Sequence, residues 1–248
     1  LFNPQLIGRP VVVLSNNDGC IIARSNEAKA LGIAMGTPYF KCEKQLQAQE
    51  VEVFSSNYAL YGDISNRVMS LLRRLEPEVE VYSIDEAFLH LSGMRGATFT
   101  DYGRELRQTL RRCTGIPVSI GIGPTKTLAK VAGHLAKKDK ALQGVFAITS
   151  ADVDEILHRF PVAKVWGIGR RSAGRLALCG ITTALDLKNC EDGWLRKKLS
   201  ITGLRTAMEL RGISCLSLEN CPISRKSIAS SKSFGYQVES LAELKEAL

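Results

Sequence analysis

Val79-Glu80-Val81-Tyr82-Ser83-Ile84-Asp85-Glu86-Ala87-Phe88-Leu89-His90-Leu91 sets two adjacent carboxylates between two apolar runs. Val79, Val81, Phe88, Leu89 and Leu91 read as two short strands, and Asp85-Glu86 falls where they meet. Neighbouring side chains of a regular strand point to opposite faces, so two adjacent acids share a task only where the chain turns. A hairpin joining two core strands lifts both carboxylates to the rim of a sheet. That is a place to hold Mg2+, which prefers hard oxygen ligands and takes one or two protein carboxylates together with substrate phosphates. The plain alternative is an acidic pair that solvates a tight turn.

The flanking sequence interleaves strands and helices. Upstream, Val11 to Ser15 reads as a buried strand, Asn16-Asn17-Asp18-Gly19 as a hairpin turn and Cys20 to Ala23 as the return strand. Ser25 is placed to cap a short helix that Gly32 stops. Arg24, Asn26 and Lys29 cluster at its start, where cations and backbone N–H groups suit a triphosphate; a solvated helix face is the alternative. A polar helix over Pro38–Glu50, a strand over Val51–Phe54 and an amphipathic helix over Asn57–Leu75 follow, the last ended by Pro77. Downstream, Tyr102–Cys113 is helical and Ile116–Gly123 a strand. Pro124-Thr125 then opens the helix Lys126–Lys137, and Gly144–Ile148 is a further strand. Strand, Gly-rich turn and a helix carrying Lys126 form a phosphate-receiving arrangement, although G-x-x-x-x-G-K-[ST] is absent. The pattern predicts one α/β layer domain with an appended lobe.

Composition shifts after Thr149. Ser150 is placed to cap a helix over Val153–Phe160, and from there the chain reads as helices and turns. Gly167-Ile168-Gly169 between two helices, followed by Arg170, marks a helix-hairpin-helix. Its glycines let the backbone approach a phosphate without reading base sequence. Between Pro161 and Gly235 thirteen Lys/Arg face five Asp/Glu, which accounts for the whole +8 net charge and points to a polyanion partner. Ser224 to Gly235 alternates basic and hydroxyl residues, as a strand lying along a nucleic-acid backbone does; a linker is the alternative. With 248 residues, 45% hydrophobic, the chain is long enough for more than one domain, and no apolar run approaches transmembrane length. Seven scattered cysteines without a C-x-x-C pair suit reduced thiols in a cytoplasm rather than a disulfide framework or zinc site.

Ser83-Ile84-Asp85-Glu86-Ala87, the Gly121–Lys130 segment and Val165-Trp166-Gly167-Ile168-Gly169 occur in this order. With Asn16–Cys20, Tyr58–Asp63 and Ser224-Arg225-Lys226-Ser227, they resemble the Y-family translesion DNA polymerases, in the branch that serves the bacterial SOS response. The likeness covers essentially the whole chain. Each motif alone is weak; the ordered set is specific. It implies an α/β (α+β) polymerase right hand: fingers over 1–57, a palm sheet with helices over 58–149, an all-helical helix-hairpin-helix thumb over 150–221 and the start of a little finger over 222–248. The implied activity is error-prone, template-directed nucleotidyl transfer past DNA damage. It uses two Mg2+ ions, primer-template DNA and dNTP, with a processed UmuD dimer, RecA and the sliding clamp as partners, and no membrane.

On that resemblance Asp85 binds the catalytic metals, and Glu86 is a metal ligand beside the primer terminus. Lys126 meets the triphosphate from the palm. Asn26 and Lys29 stand where the family usually carries Tyr and Arg on the fingers. Gly167, Gly169 and Arg170 grip DNA backbone, and Arg225 and Lys226 begin the little finger's backbone contacts. One departure matters: the family's opening strand, of D-x-N-x-F-Y-A-x-C-E type, should precede Leu1. It supplies the first metal-binding Asp and the aromatic residue that excludes ribonucleotides. Two bridged metals depend on such carboxylates, so the chain as written is expected to be a piece of a longer protein and nearly inactive alone. Two other readings are a non-catalytic helix-hairpin-helix DNA-binding module, for which Asp85 is dispensable, and a two-metal nuclease, which cleaves without added nucleotide.

Overall fold

The computed structural model describes residues 2–91, 98–219, 227–228, 234 and 237–246. The chain divides into two compact units, one of residues 1–62 with 222–248 and one of 63–221.

In the first unit β1 (Val11–Leu14) pairs antiparallel with β2 (Ile21–Arg24) and parallel with β3 (Glu52–Phe54). The expected turn joins β1 to β2, with Asp18 at φ 51°. The parallel return to β3 runs through α1 (Asn26–Ala30) and α2 (Tyr39–Ala48). Ser25 caps α1 by accepting the Ala28 N–H, and Gly32 follows its end at φ 76°, as the sequence predicts. Val12, Leu14, Ile21, Ala28, Leu46 and Val51 make a small core of their own. Fully burying each larger apolar side chain contributes roughly 1.5–3 kcal/mol. α3 (Tyr58–Leu75) begins in this unit and continues into the next; α10 (Leu241–Glu246) is the last described element.

The second unit opens its sheet structure with β4 (Val79–Val81) and β5 (Ala87–Leu89), an antiparallel pair with Val79 opposite Leu89 and Val81 opposite Ala87. Met69 and Leu72 of α3 pack on them together with Leu106 and Leu110 of α4 (Phe99–Thr114). β6 (Ile120–Ile122), α5 (Lys126–Lys138) and β7 (Val145–Ala147) form a parallel βαβ unit. Gly121 is what lets strand and helix approach: a Cβ there would lie 2.0 Å from the Gly133 nitrogen and 2.3 Å from the Ala129 carbonyl oxygen. The structure corrects three expectations here. The strands make three separate ladders rather than one layer. The ladder at Ile116–Gly123 is confined to Ile120–Ile122, because the segment before it supplies no further pairing. Asp152, not Ser150, occupies the N-cap of the next helix, and the Thr149 hydroxyl donates to its carboxylate.

From residue 150 to 219 the described chain forms helices joined by turns and irregular segments, with one isolated bridge, Pro161 to Thr183. α6 (Val153–Arg159), α7 (Arg170–Leu178), α8 (Ala184–Asn189) and α9 (Asp192–Leu210) enclose Leu157, Leu176, Leu187, Leu195 and Leu210. The same core takes in Leu128, Val131 and Ala132 of α5, so the βαβ unit and the helical part share one interior. Arg211 fastens its end: the guanidinium donates to the Lys188 and Cys190 carbonyls at 2.8 and 2.6 Å and pairs with Asp192. Those carbonyls lie at the C-terminal end of α8, where the last carbonyls have no partner within the helix.

Candidate active site

The acidic motif forms the tip of the β4–β5 hairpin. The Glu86 carbonyl accepts the N–H groups of Tyr82 and Ser83 at 3.1 and 3.0 Å, which closes the turn. The Ser83 hydroxyl donates to Asp85 Oδ1 at 2.7 Å. Asp85 is exposed and, among the described residues, makes no ion pair. Glu86 instead accepts Lys130 Nζ at 2.5 Å, with both side chains partly open to solvent. Turn geometry thus brings the two neighbouring acids to one rim but gives them different partners.

Three aromatic rings flank the turn. Tyr82 meets Trp166 edge-on at 5.4 Å and Phe88 at 5.7 Å, and the Trp166 indole N–H donates to the Tyr82 hydroxyl at 3.4 Å. Lys130 Nζ lies 5.7 and 5.8 Å from the Tyr82 and Trp166 ring centres, within cation–π reach. Trp166 is the residue before the Gly-Ile-Gly hairpin, so these contacts bring that hairpin beside the carboxylate turn. Ile168 is buried and anchors it, while Gly167, Gly169 and Arg170 are exposed. Gly167 has φ 87°, a left-handed conformation that disfavours any side chain; a Cβ on Gly169 would meet nothing within 4 Å. α7 starts at Arg170 with no side-chain cap, leaving its first N–H groups available.

Lys126 has a different setting from the one its position in the sequence suggests. Its ammonium is ion-paired with Glu80, donates to the Ser217 carbonyl at 2.8 Å and sits 5.0 Å from the Phe88 ring centre. The lysine and glutamate side chains are only 11% and 9% exposed. Glu80 also accepts the Glu219 N–H at 2.8 Å. The first turn of α5 is held from a second side by Glu209, whose side chain is fully buried. Glu209 accepts the N–H of Thr127 at 3.0 Å, of Cys215 at 2.7 Å and of Leu216 at 3.2 Å. Its main-chain carbonyl accepts the Thr125 hydroxyl at 2.8 Å.

In the first unit the three candidate triphosphate residues do not converge. Lys29 Nζ donates to Asn26 Oδ1 at 3.0 Å, and both are exposed. The Arg24 guanidinium turns to the Ile33 carbonyl, and its Nε is buried with no hydrogen-bond partner among the described residues. Arg225 and Lys226 lie outside the described residues, as does most of the Ser224–Gly235 segment.

Sequence reasoning passed over Glu80, Lys130, Tyr82, Trp166 and Glu209. Lys130 had a signal, since it lies four residues after Lys126 on the same helical face. Glu80 had a weaker one, a charge inside a Val-Glu-Val strand. Nothing local marks Glu209, whose partners lie 82 residues away at Thr127 and, nearer, at Cys215 and Leu216.

Residues 1–134 match the model of the impB/mucB/samB family. The chain belongs to this family. UmuC of Salmonella typhimurium LT2 is 48% identical over 251 residues, covering 100% of this chain and 60% of UmuC. DNA polymerase IV of Moorella thermoacetica is 33% identical over 242 residues, covering 95% of this chain and 58% of that one. Among solved structures, a Y-family DNA polymerase chimera of Dbh and Dpo4 superposes with a TM-score of 0.75 at 27% identity, over 89% of this chain and 65% of that one. This impB/mucB/samB chain therefore has the mixed α/β fold of Y-family polymerases. It spans about three fifths of the length of the curated relatives it matches. No described helix is long and apolar enough to cross a membrane.

Proposed function

We propose that the full-length protein is a DNA-directed DNA polymerase that extends primers past damaged template. The observation that carries this reading is the meeting of the carboxylate turn and the Gly-Ile-Gly hairpin through Tyr82, Trp166 and Lys130. A DNA-binding module has no need of an exposed acid beside its backbone-gripping hairpin, because that acid repels phosphate. A polymerase needs both at one primer terminus.

The residues fit Mg2+ by donor chemistry. Asp85 offers an exposed carboxylate that makes no ion pair among the described residues, and Glu86 offers a second, shared with Lys130. Magnesium takes one or two carboxylates and completes its shell with water and phosphate oxygens. Bound there, it would neutralise charge on the transferring phosphoryl group. The chain's own groups do the rest. Exposed N–H groups at Gly167, Gly169 and the start of α7, with the Arg170 guanidinium, hold the DNA backbone. Lys126 and Lys130 present cations from one face of α5, Lys130 at the carboxylate turn and Lys126 toward the triphosphate once freed from Glu80. Arg24, Asn26 and Lys29 are the proposed triphosphate contacts of the fingers, and Arg225 and Lys226 the first backbone contacts of the little finger. In this reading 1–57 are fingers, 58–149 palm, 150–221 thumb and 222–248 the start of the little finger. Two Mg2+ ions serve the complete site. The likeness to UmuC extends the proposal to the SOS response, with a processed UmuD dimer, RecA and the sliding clamp as partners in the cytoplasm.

The test is primer extension across an abasic site by the full-length protein with those partners. Asp85→Asn should lower the rate at least about a hundredfold, the loss of roughly 3 kcal/mol of transition-state stabilisation, while DNA binding remains. Equal extension by the variant would remove the metal role of Asp85, and failure of both proteins to extend a primer-template that they still bind would overturn the polymerase reading and leave a DNA-binding module.

A further inference from the structure

Two buried glutamates hold one short strap. After α9 the chain runs from Ile213 to Glu219 over the start of α5 without forming a helix or strand. At one end Glu209 grips it through the Cys215 and Leu216 N–H groups. At the other, Glu80 accepts the Glu219 N–H, and Lys126 reaches the Ser217 carbonyl. Both glutamates also hold the first turn of α5, Glu209 through Thr127 and Glu80 through Lys126. The two grips differ in one respect. Glu209 uses backbone N–H groups alone, whereas the Glu80 grip depends on a lysine whose ammonium has other uses.

We propose that the strap is a latch on Lys126, opened by the incoming nucleotide. The inference rests on the reading of Lys126 as a triphosphate contact. In the closed arrangement Glu80 and the Ser217 carbonyl take two of the three ammonium protons. A triphosphate that engages this lysine competes with both partners. The Ser217–Glu219 end then loosens, while the Cys215–Leu216 end stays fixed by Glu209. Nucleotide occupancy is thereby transmitted to the chain that follows Glu219. Linkage sets the cost: if only a fraction of molecules has Lys126 free, apparent nucleotide affinity is reduced by that fraction. The closed latch therefore weakens nucleotide binding.

This reverses the usual expectation for a substitution near a site. Glu80→Gln keeps a side-chain oxygen for the Glu219 N–H but removes the charge that holds Lys126. It should bind nucleotide about threefold or more tighter, because the competent fraction rises. A merely structural glutamate predicts weaker or unchanged binding. Titration of the correct dNTP with Mg2+ into the full-length protein on a dideoxy-terminated primer-template reads this without chemistry. Unchanged or weaker affinity in Glu80→Gln overturns the latch. The unmodified protein supplies a second measurement that no folding defect confounds. Saturating dNTP should raise amide exchange across Ser217–Glu219 and leave Cys215–Leu216 unchanged. No nucleotide effect on Ser217–Glu219 exchange overturns the latch whatever primer extension shows. The polymerase reading falls only if the unmodified protein binds the primer-template without extending it, so the two failures are distinguishable.

Discussion

One hairpin and one helix make two ion pairs of the same chemistry with opposite settings. Glu80 on β4 pairs with Lys126, and Glu86 beside β5 pairs with Lys130, one turn further along α5. The first pair is nearly closed to solvent, and each partner has a main-chain neighbour. The second is open by 44% and 26% at its side chains. Burial sets what it costs to separate each pair. A desolvated pair is costly to break unless a ligand supplies replacement charge, whereas a solvated pair parts at little cost.

The largest expected effect follows from breaking the buried pair. Glu80→Ala leaves the Lys126 ammonium in a nearly dry site and strips the Glu219 N–H of its acceptor. Removing one partner of a buried pair costs about 3–5 kcal/mol, so the variant should show a clearly lowered denaturant midpoint. The comparison sharpens with Glu80→Met combined with Lys126→Met. That double variant should recover much of the loss, because no charge remains buried. A double variant as unstable as Glu80→Ala would mean that the strap contacts, not the desolvated charge, dominate.

A third carboxylate is held with no lysine and tests whether backbone N–H groups do comparable work. Asp186 closes a capping box at the start of α8, accepting the Thr183 and Thr182 N–H groups at 2.8 and 3.0 Å. Those bonds, Thr183 first, hold its carboxyl below the ordinary value of 3.8. Its stabilisation is therefore complete at neutral pH and is lost as pH falls through the lowered folded value. Asp186→Ala should cost about 1 kcal/mol at pH 7, within the range of cap losses. The gap between variant and unmodified protein should close below about pH 4. Thermal melts at pH 7, 5 and 3 check both, and a gap that is constant with pH would assign the loss to packing rather than to the carboxylate.

These contrasts explain what the sequence could and could not reveal. The β4–β5 hairpin, the β1–β2 turn, the Ser25 cap and the Gly-Ile-Gly hairpin were legible because their signals are local: alternating apolar residues, turn residues and glycines at fixed spacing. The single α/β layer was not, since strand partners are chosen by tertiary packing, and short runs of three residues carry no information about which ladder they join. Lys126 was legible as a lysine at a helix start but not as a paired one. Its partners are 46 and 91 residues away, and burial is a property of the assembled unit. Glu209 was invisible for the same reason.

The smallest expected effect on stability sits at the exposed pair, and there the comparison is most telling. Lys130→Met removes the partner of Glu86 and the cation beside Tyr82 and Trp166. Half-exposed pairs of this kind contribute about 0.2–1 kcal/mol, so the melting temperature should move little, and less still at high salt. Activity should move more. An unpaired Glu86 adds negative charge beside Asp85, and the loss of Lys130 removes the cation between the carboxylate turn and the Gly-Ile-Gly hairpin. Primer extension by Lys130→Met should fall about tenfold or more, the loss of roughly 1.4 kcal/mol in the transition state, with stability almost intact. A Glu80→Ala protein should show the reverse order, with stability failing first. If Lys130→Met instead destabilises as strongly as Glu80→Ala while extending normally, exposure does not separate the two pairs, and Lys130 is a strut rather than part of the site.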